Sequence, residues 1–323
     1  MSRVGAAAVS LLVAVALLAG CVGNQPWEPD PWQGERPDRL TIATGGTSGI
    51  YHGYGQELAE VLTERYGIET EVLATGGSVD NLQLLAAGEA DVAFSAADAV
   101  ADAVDGEGDF DVPVEVHALA RVYDDFAHLV VPADSDVEEL ADLRGLRVSV
   151  GAPRSGTSLI AGRVLKAAGV PMSDLRVAEL GITESVDALR GGSLDAVFWS
   201  GGLKTPGLVE LSAEVPLRLV PLDVVVDQLR REHGPGYRHG VVPQGVYGVT
   251  ADVGTLAVPN ILVAGPGLPD AVAQGLVATL FDARTEIAAQ VPSAALLDRS
   301  RAIYTDPAEL QPGALRYYRA VKP

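Results

Sequence analysis

Three short segments set glycines and hydroxyls between an apolar run and an amphipathic stretch: Thr44–Gly49, Thr75–Ser78 and Gly151–Thr157. Between a strand end and a helix start, such a turn presents free backbone N–H groups and about half a positive charge. Glycine lets a ligand approach that backbone, and Ser or Thr adds a donor. Gly46, Thr47, Ser48, Gly77, Ser78, Ser155, Gly156 and Thr157 are therefore candidates for holding a carboxylate or phosphate. The competing reading makes Ser78 and Thr157 helix N-caps, the usual role of such residues. One segment alone favours the cap; three together favour a site. Arg154, inside the third segment, is placed either to clamp a ligand carboxylate or to pair with a surface acid. Arg121 reads as a partner of Asp124 or Asp125. Tyr51 and His52 follow the first turn, and Phe198-Trp199-Ser200 ends an apolar run, so rings from both places can wall a pocket. Strand side chains alternate, so one of Phe198 and Trp199 faces the core and the other the cleft.

The catalytic alternatives find little support. No nucleophile elbow, zinc-protease helix or cysteine pair occurs, and the three turns fit neither the phosphate loop with its lysine nor the dinucleotide fingerprint. His52, His117, His128, His233 and His239 lack metal-ligand spacing. Binding without catalysis, cofactor or metal is expected. The acid pairs Asp124-Asp125 and Glu138-Glu139 read as solvated faces. With 43 acidic and 23 basic side chains, the net charge of −20 argues against nucleic acid.

These turns need a scaffold, and 323 residues suffice for two domains, each with a core. From Leu40 onward, strand-like runs alternate with amphipathic stretches, the pattern of an α/β protein. Strands are expected at Leu40–Thr44, Glu71–Thr75, Asp91–Ser95, Leu146–Val150, Leu175–Leu180 and Val197–Ser200, and a run at Leu256–Ala264 is broken by Pro259. Ser78-Val79-Asp80-Asn81-Leu82 leading to Asp91–Ser95 is echoed by Ser185-Val186-Asp187-Ala188-Leu189 leading to Asp195–Phe198, which suggests two similar lobes. Ahead of them, Arg3 and the apolar run Val4–Gly20 form a secretory signal ending Leu-Ala-Gly-Cys. That ending is similar to a lipoprotein lipobox, so residues 1–20 are expected to be removed and Cys21 lipidated. Residues 21–39, rich in proline, read as an extended tether whose Trp27 and Trp32 rest on lipid or pack on the body.

Several of these segments resemble the TAXI family, the extracytoplasmic solute receptors of tripartite ATP-independent periplasmic (TRAP) transporters. The likeness lies in Leu40–Tyr51, Thr75–Asn81 and Arg147–Thr157, with His128–Val131, Leu140–Gly145, Thr205-Pro206, Asp252–Leu262 and Pro312–Tyr318. It implies a type II periplasmic-binding-protein fold, two α/β lobes around a ligand cleft: 40–122 with about 245–323, and about 123–244. It also implies a monomer that passes a small organic anion, a glutamate-like amino acid or dicarboxylate, to an ion-gradient-driven permease. By position its ligand contacts fall on Gly46–Ser48, Tyr51, Gly77, Ser78, Asn81 and Ser155–Thr157, with Trp199 and Ser200 after Phe198. The family usually carries glycine where Ser48 and Arg154 stand and often tyrosine at His52; Arg154 and His52 point away from glutamate itself, towards a more acidic ligand. The same fold serving a sensor kinase or an ATP-driven (ABC) importer is the alternative, and an envelope hydrolase is a third.

Overall fold

The computed structural model describes residues 31–321 apart from Gln33; Cys21 and the signal segment lie outside the described residues. Two parallel β-α-β-α-β runs build the sheet. The first is β1 (Arg39–Ala43), α1 (Ile50–Tyr66), β2 (Glu69–Leu73), α2 (Ser78–Ala87) and β3 (Val92–Ala96), followed by α3 (Ala97–Asp105). The second is β5 (Arg147–Ser149), α4 (Gly156–Ala167), β6 (Arg176–Ala178), α5 (Ile182–Arg190) and β7 (Ala196–Gly201). Each run has its first strand in the middle, so the orders β2-β1-β3 and β7-β5-β6 are counterparts. The internal echo read from sequence thus falls on α2 leading to β3 and α5 leading to β7, the same place in each run.

Between the runs lie β4 (His117–Pro132) and β10 (Val253–Ala264), long antiparallel strands that complete the order β2-β1-β3-β10-β4-β7-β5-β6. β10 pairs β3 through Asn260–Ala264, while β4 pairs β7 through Phe126–Val130, so these two strands serve both halves. Neither was fully expected from the sequence. Pro259 does not break β10: it stands opposite Asp124, between the stretch paired with β9 (Arg238–Val242) and the stretch paired with β3. Its missing N–H is not demanded there, and the register shifts just after Asn260.

Apolar cores fill both halves. Leu58, Leu62, Phe94 and Leu276 are buried on one side of the molecule, and Ile182, Leu189, Leu208 and Leu211 close another cluster. Trp32 is fully buried, 5.4 Å from the Tyr66 ring, where the absent side chain of Gly275 leaves room for its indole. The end of the proline-rich segment is therefore packed on the body, on α8 (Asp270–Asp282). Among the described residues no helix is long and apolar enough to cross a membrane.

Candidate ligand-binding cleft

Four helices begin around one cavity of about 450 Å³. Gly45, Gly46 and Gly49–Tyr51 at the start of α1, Gly76–Ser78 at α2, Ser155–Thr157 at α4 and Gly181–Ile182 at α5 all line it. Two of these helices come from each parallel run, and each brings first-turn N–H groups and partial positive charge. The volume suits a small metabolite. α5 was not foreseen as part of the site. The internal echo aligns Ser185 with Ser78, but Ser185 sits one turn into α5 and bonds Ser149 at 2.7 Å, while the helix opens at Gly181.

The glycines serve a second purpose. Gly77 has φ of 124°, a backbone that other residues rarely adopt, and a Cβ there would sit 3.5 Å from Ser155. A Cβ on Gly156 would fall 2.8 Å from Ser78 Oγ. Small residues thus let the α2 and α4 turns touch across the cleft. The N-caps are Gly77 and Ser155, whose Oγ accepts from Ser158 N at 3.0 Å. Ser78 and Thr157 are not caps. Ser78 Oγ accepts from Ala96 N at 3.0 Å, and Thr157 Oγ1 accepts from Ser200 N at 3.1 Å, tying each helix start to its strand.

Of the candidates, Gly46, Tyr51, Gly77, Ser78, Ser155, Gly156, Thr157, Trp199 and Ser200 line the cavity. Phe198 is core, and Trp199, bonded to Thr205 Oγ1 at 3.0 Å, is the ring at the cleft. Thr47, Ser48, Asn81 and Arg154 do not line it. Asn81 is fully buried and holds the carbonyls of Thr44 and Phe94, a bracket between β1 and β3. Ser48 reaches across to Thr183 at 2.7 Å. Arg154 is no clamp for a ligand: its Nε pairs with Asp80 at 2.5 Å, and its carbonyl accepts from Val79 N and Asp80 N at 3.2 and 3.4 Å. His52 is turned to Thr44 and Gln56.

Sequence reading missed Tyr123, Asp125 and Asn260. Asp124 behaves as expected, held bidentately by Arg121 and approached by Arg238 at 3.0 Å. Asp125 overturns the solvated-face reading of the pair: it is 6% exposed and lines the cavity. Burial pushes its carboxyl up to about 7, with Asp124 and Asp98 adding repulsion and nearby Asn260 and Ser200 pulling the other way. Its Oδ1, Ser200 Oγ and Asn260 Nδ2 are buried side by side, the two side chains biasing Asp125 as donors though without ideal hydrogen-bond geometry. Asn260 Oδ1 accepts from the Tyr51 hydroxyl, which fixes the amide so that Nδ2 is a donor. Burial, reinforced by Asp125, keeps the Tyr51 and Tyr123 hydroxyls protonated well above their ordinary range. Tyr51 stacks on Phe94 at 5.5 Å and meets Tyr123 edge-on at 6.4 Å, an aromatic wall.

Solved structures of similar shape include a protein of Bordetella bronchiseptica RB50, 22% identical, with 89% of this chain and 90% of that one covered at a TM-score of 0.53. An ancestral arginine-binding protein bound to arginine is 15% identical, covering 78% and 97% at 0.50. A protein of Xanthomonas citri bound to ATP is likewise 15% identical, covering 88% and 95% at 0.50. With the two parallel runs and their shared long strands, these likenesses show the type II periplasmic-binding-protein fold. The profile of the NMT1-like family matches residues 42–321. The chain belongs to the NMT1-like family.

Proposed function

We propose that the chain is an extracytoplasmic solute receptor that closes two lobes on a small carboxylate-bearing ligand and delivers it to a membrane permease. The observation that carries this reading is the convergence of four helix N-termini, two from each parallel run, on one cavity. A ligand bridging both pairs stabilises the shut state over the open one, which is how binding becomes a signal for delivery. The lobes are residues 40–122 with about 245–323, and about 123–244, joined through β4 and β10. The resemblance to TAXI receptors points to a permease of the ion-gradient-driven TRAP class, and the Leu-Ala-Gly-Cys ending points to a lipid on Cys21 as the anchor. A fold shared with an arginine-binding protein supports a small-solute role.

A thermal-shift panel of monocarboxylates, dicarboxylates, keto acids and amino acids, followed by calorimetry, tests the receptor reading. One class is expected to raise the melting temperature and bind with 1:1 stoichiometry and no turnover. Turnover, or silence across the whole panel, would sink it. Co-purification with a multi-span permease supports the TRAP assignment, and co-purification with an ATPase would replace it with an ABC importer.

A further inference from the structure

The two faces of the sheet join the halves in different ways. Within each parallel run the chain moves outward through its first helix and back through its second, and right-handed crossovers put those helices on opposite faces. On one face α2 and α3 meet α4. Leu82, Leu85 and Val100 of the first half and Ile160, Val164 and Leu229 of the second belong there to one continuous buried cluster. On the other face α1 and α5 keep separate cores, with Leu58 and Leu62 in one and Val186 and Leu189 in another. These are linked by the exposed Ser48–Thr183 hydroxyl pair at 2.7 Å and by the fit of Gly202, where a Cβ would fall 2.5 Å from Ile50 Cδ1.

The shared face also carries an ion cluster, none of which lines the cavity. Arg163 of α4 donates through Nη2 to Asp102 Oδ1 at 2.5 Å and through Nη1 to the Tyr237 hydroxyl at 3.1 Å. That hydroxyl donates to Asp98 Oδ2 at 2.7 Å, and Arg163 Nη1 lies 3.8 Å from the same oxygen. Asp98 and Asp102 belong to α3, and both are buried, as is Tyr237. Parting α3 from α4 would expose the common apolar cluster and strand two acids and a guanidinium already stripped of water. Breaking a buried pair in that way is strongly unfavourable, whereas an exposed hydroxyl pair exchanges readily for water.

We propose that the α3–α4 flank is the fixed side of the clamp and that the cleft opens at the α1–α5 edge, with Ser48–Thr183 as its gate and the Arg163 cluster as its pin. The halves rotate about the shared face while β4 and β10 bend. Ligand enters between the starts of α1 and α5, and the starts of α2 and α4 stay in contact in both states. This inference rests on the cleft closing on a ligand, as proposed above, and adds the direction of that motion.

Spin-label pairs read the two edges in the unliganded protein. The full chain carries C21S, so that the introduced cysteines are the only ones, with Q56C/D187C across α1 and α5 or D105C/K166C across α3 and α4; all four side chains are exposed. Electron–electron double resonance is expected to give one narrow distance distribution for the flank pair. For the gate pair it should be broader and shifted to longer distance. T183V is expected to lengthen the gate distance alone. R163M is expected to broaden the flank pair while keeping a cooperative melt, and D102N, a milder cut of the same cluster, carries that arm if R163M does not fold. A flank pair as broad as the gate pair overturns the inference and leaves the receptor reading standing. So does a flank distribution unchanged when the cluster is cut. Two narrow distributions overturn it as well and count against lobe closure itself, and so against the receptor reading.

Discussion

An acid whose folded-state pKa is about 7 against an ordinary 3.8 makes the stability of the unliganded protein depend on pH in a definite direction. Protonated Asp125 suits the fold, so its contribution is fully present in acid and is lost as pH rises through about 7. His128 works in the opposite sense. Burial lowers it to about 4, so it favours the fold while neutral and costs stability as pH falls from about 6.5 towards 4. D125N removes the first dependence and leaves the second. Unliganded D125N is expected to be more stable than wild type at pH 8, by up to roughly 4 kcal/mol for three units at about 1.4 each. Near pH 5 the gap should shrink. Urea melts at both pH values check this, and a gap of the same size at each would show that Asp125 does not titrate between them. Tyr51 and Tyr123 stay neutral across this range and do not contribute.

The βα units were legible because each strand is short and apolar and each helix is punctuated by glycine. Gly67 and Gly88 close α1 and α2 in the left-handed conformation that their sequence positions suggest. β4 was not legible. Around its middle, Tyr123-Asp124-Asp125-Phe126 alternates poorly, because a strand shared by two halves is covered on different faces along its length. The same ambiguity hid Asp125, whose burial is set by β7 and β10 and not by its neighbours in sequence. Three of the four helix starts were legible as glycine- and hydroxyl-bearing turns, but their contact with one another was not. Ser48–Thr183 and Arg154–Asp80 tie the first parallel run to the second, a strap made by the two residues that stand where TAXI receptors usually carry glycine. Arg154 holds φ of 57°, a left-handed backbone that glycine adopts more easily. The Arg154–Asp80 pair is largely exposed on the arginine side, so its worth is within about 1 kcal/mol. The double variant S48G/R154G is therefore expected to melt at or slightly above the wild-type temperature yet bind ligand several-fold more weakly. Small-angle scattering should show a more open unliganded population. Unchanged scattering and affinity would mean that the strap follows closure without favouring it.

At the scale of the whole molecule, a net charge of −20 sets a field that disfavours approach by any anion. The helix starts at the cavity must therefore supply locally the positive potential that a carboxylate-bearing ligand needs. Trp32 bears on the anchoring proposed for the chain. Its indole fills the place opened by Gly275 and meets Tyr66, so W32A should cost about 3–5 kcal/mol, readable as an earlier urea midpoint. A midpoint unchanged from wild type would show the segment to be loosely applied. That docking also fixes the length of a leash. With a lipid on Cys21 as proposed, the chain from there to Trp32 can span no more than about 40 Å. A loaded receptor so held meets a permease in the same membrane by lateral search within a thin layer, at an effective concentration on the order of millimolar. Productive handover then needs only a weak docking affinity, and weak docking lets the emptied receptor leave.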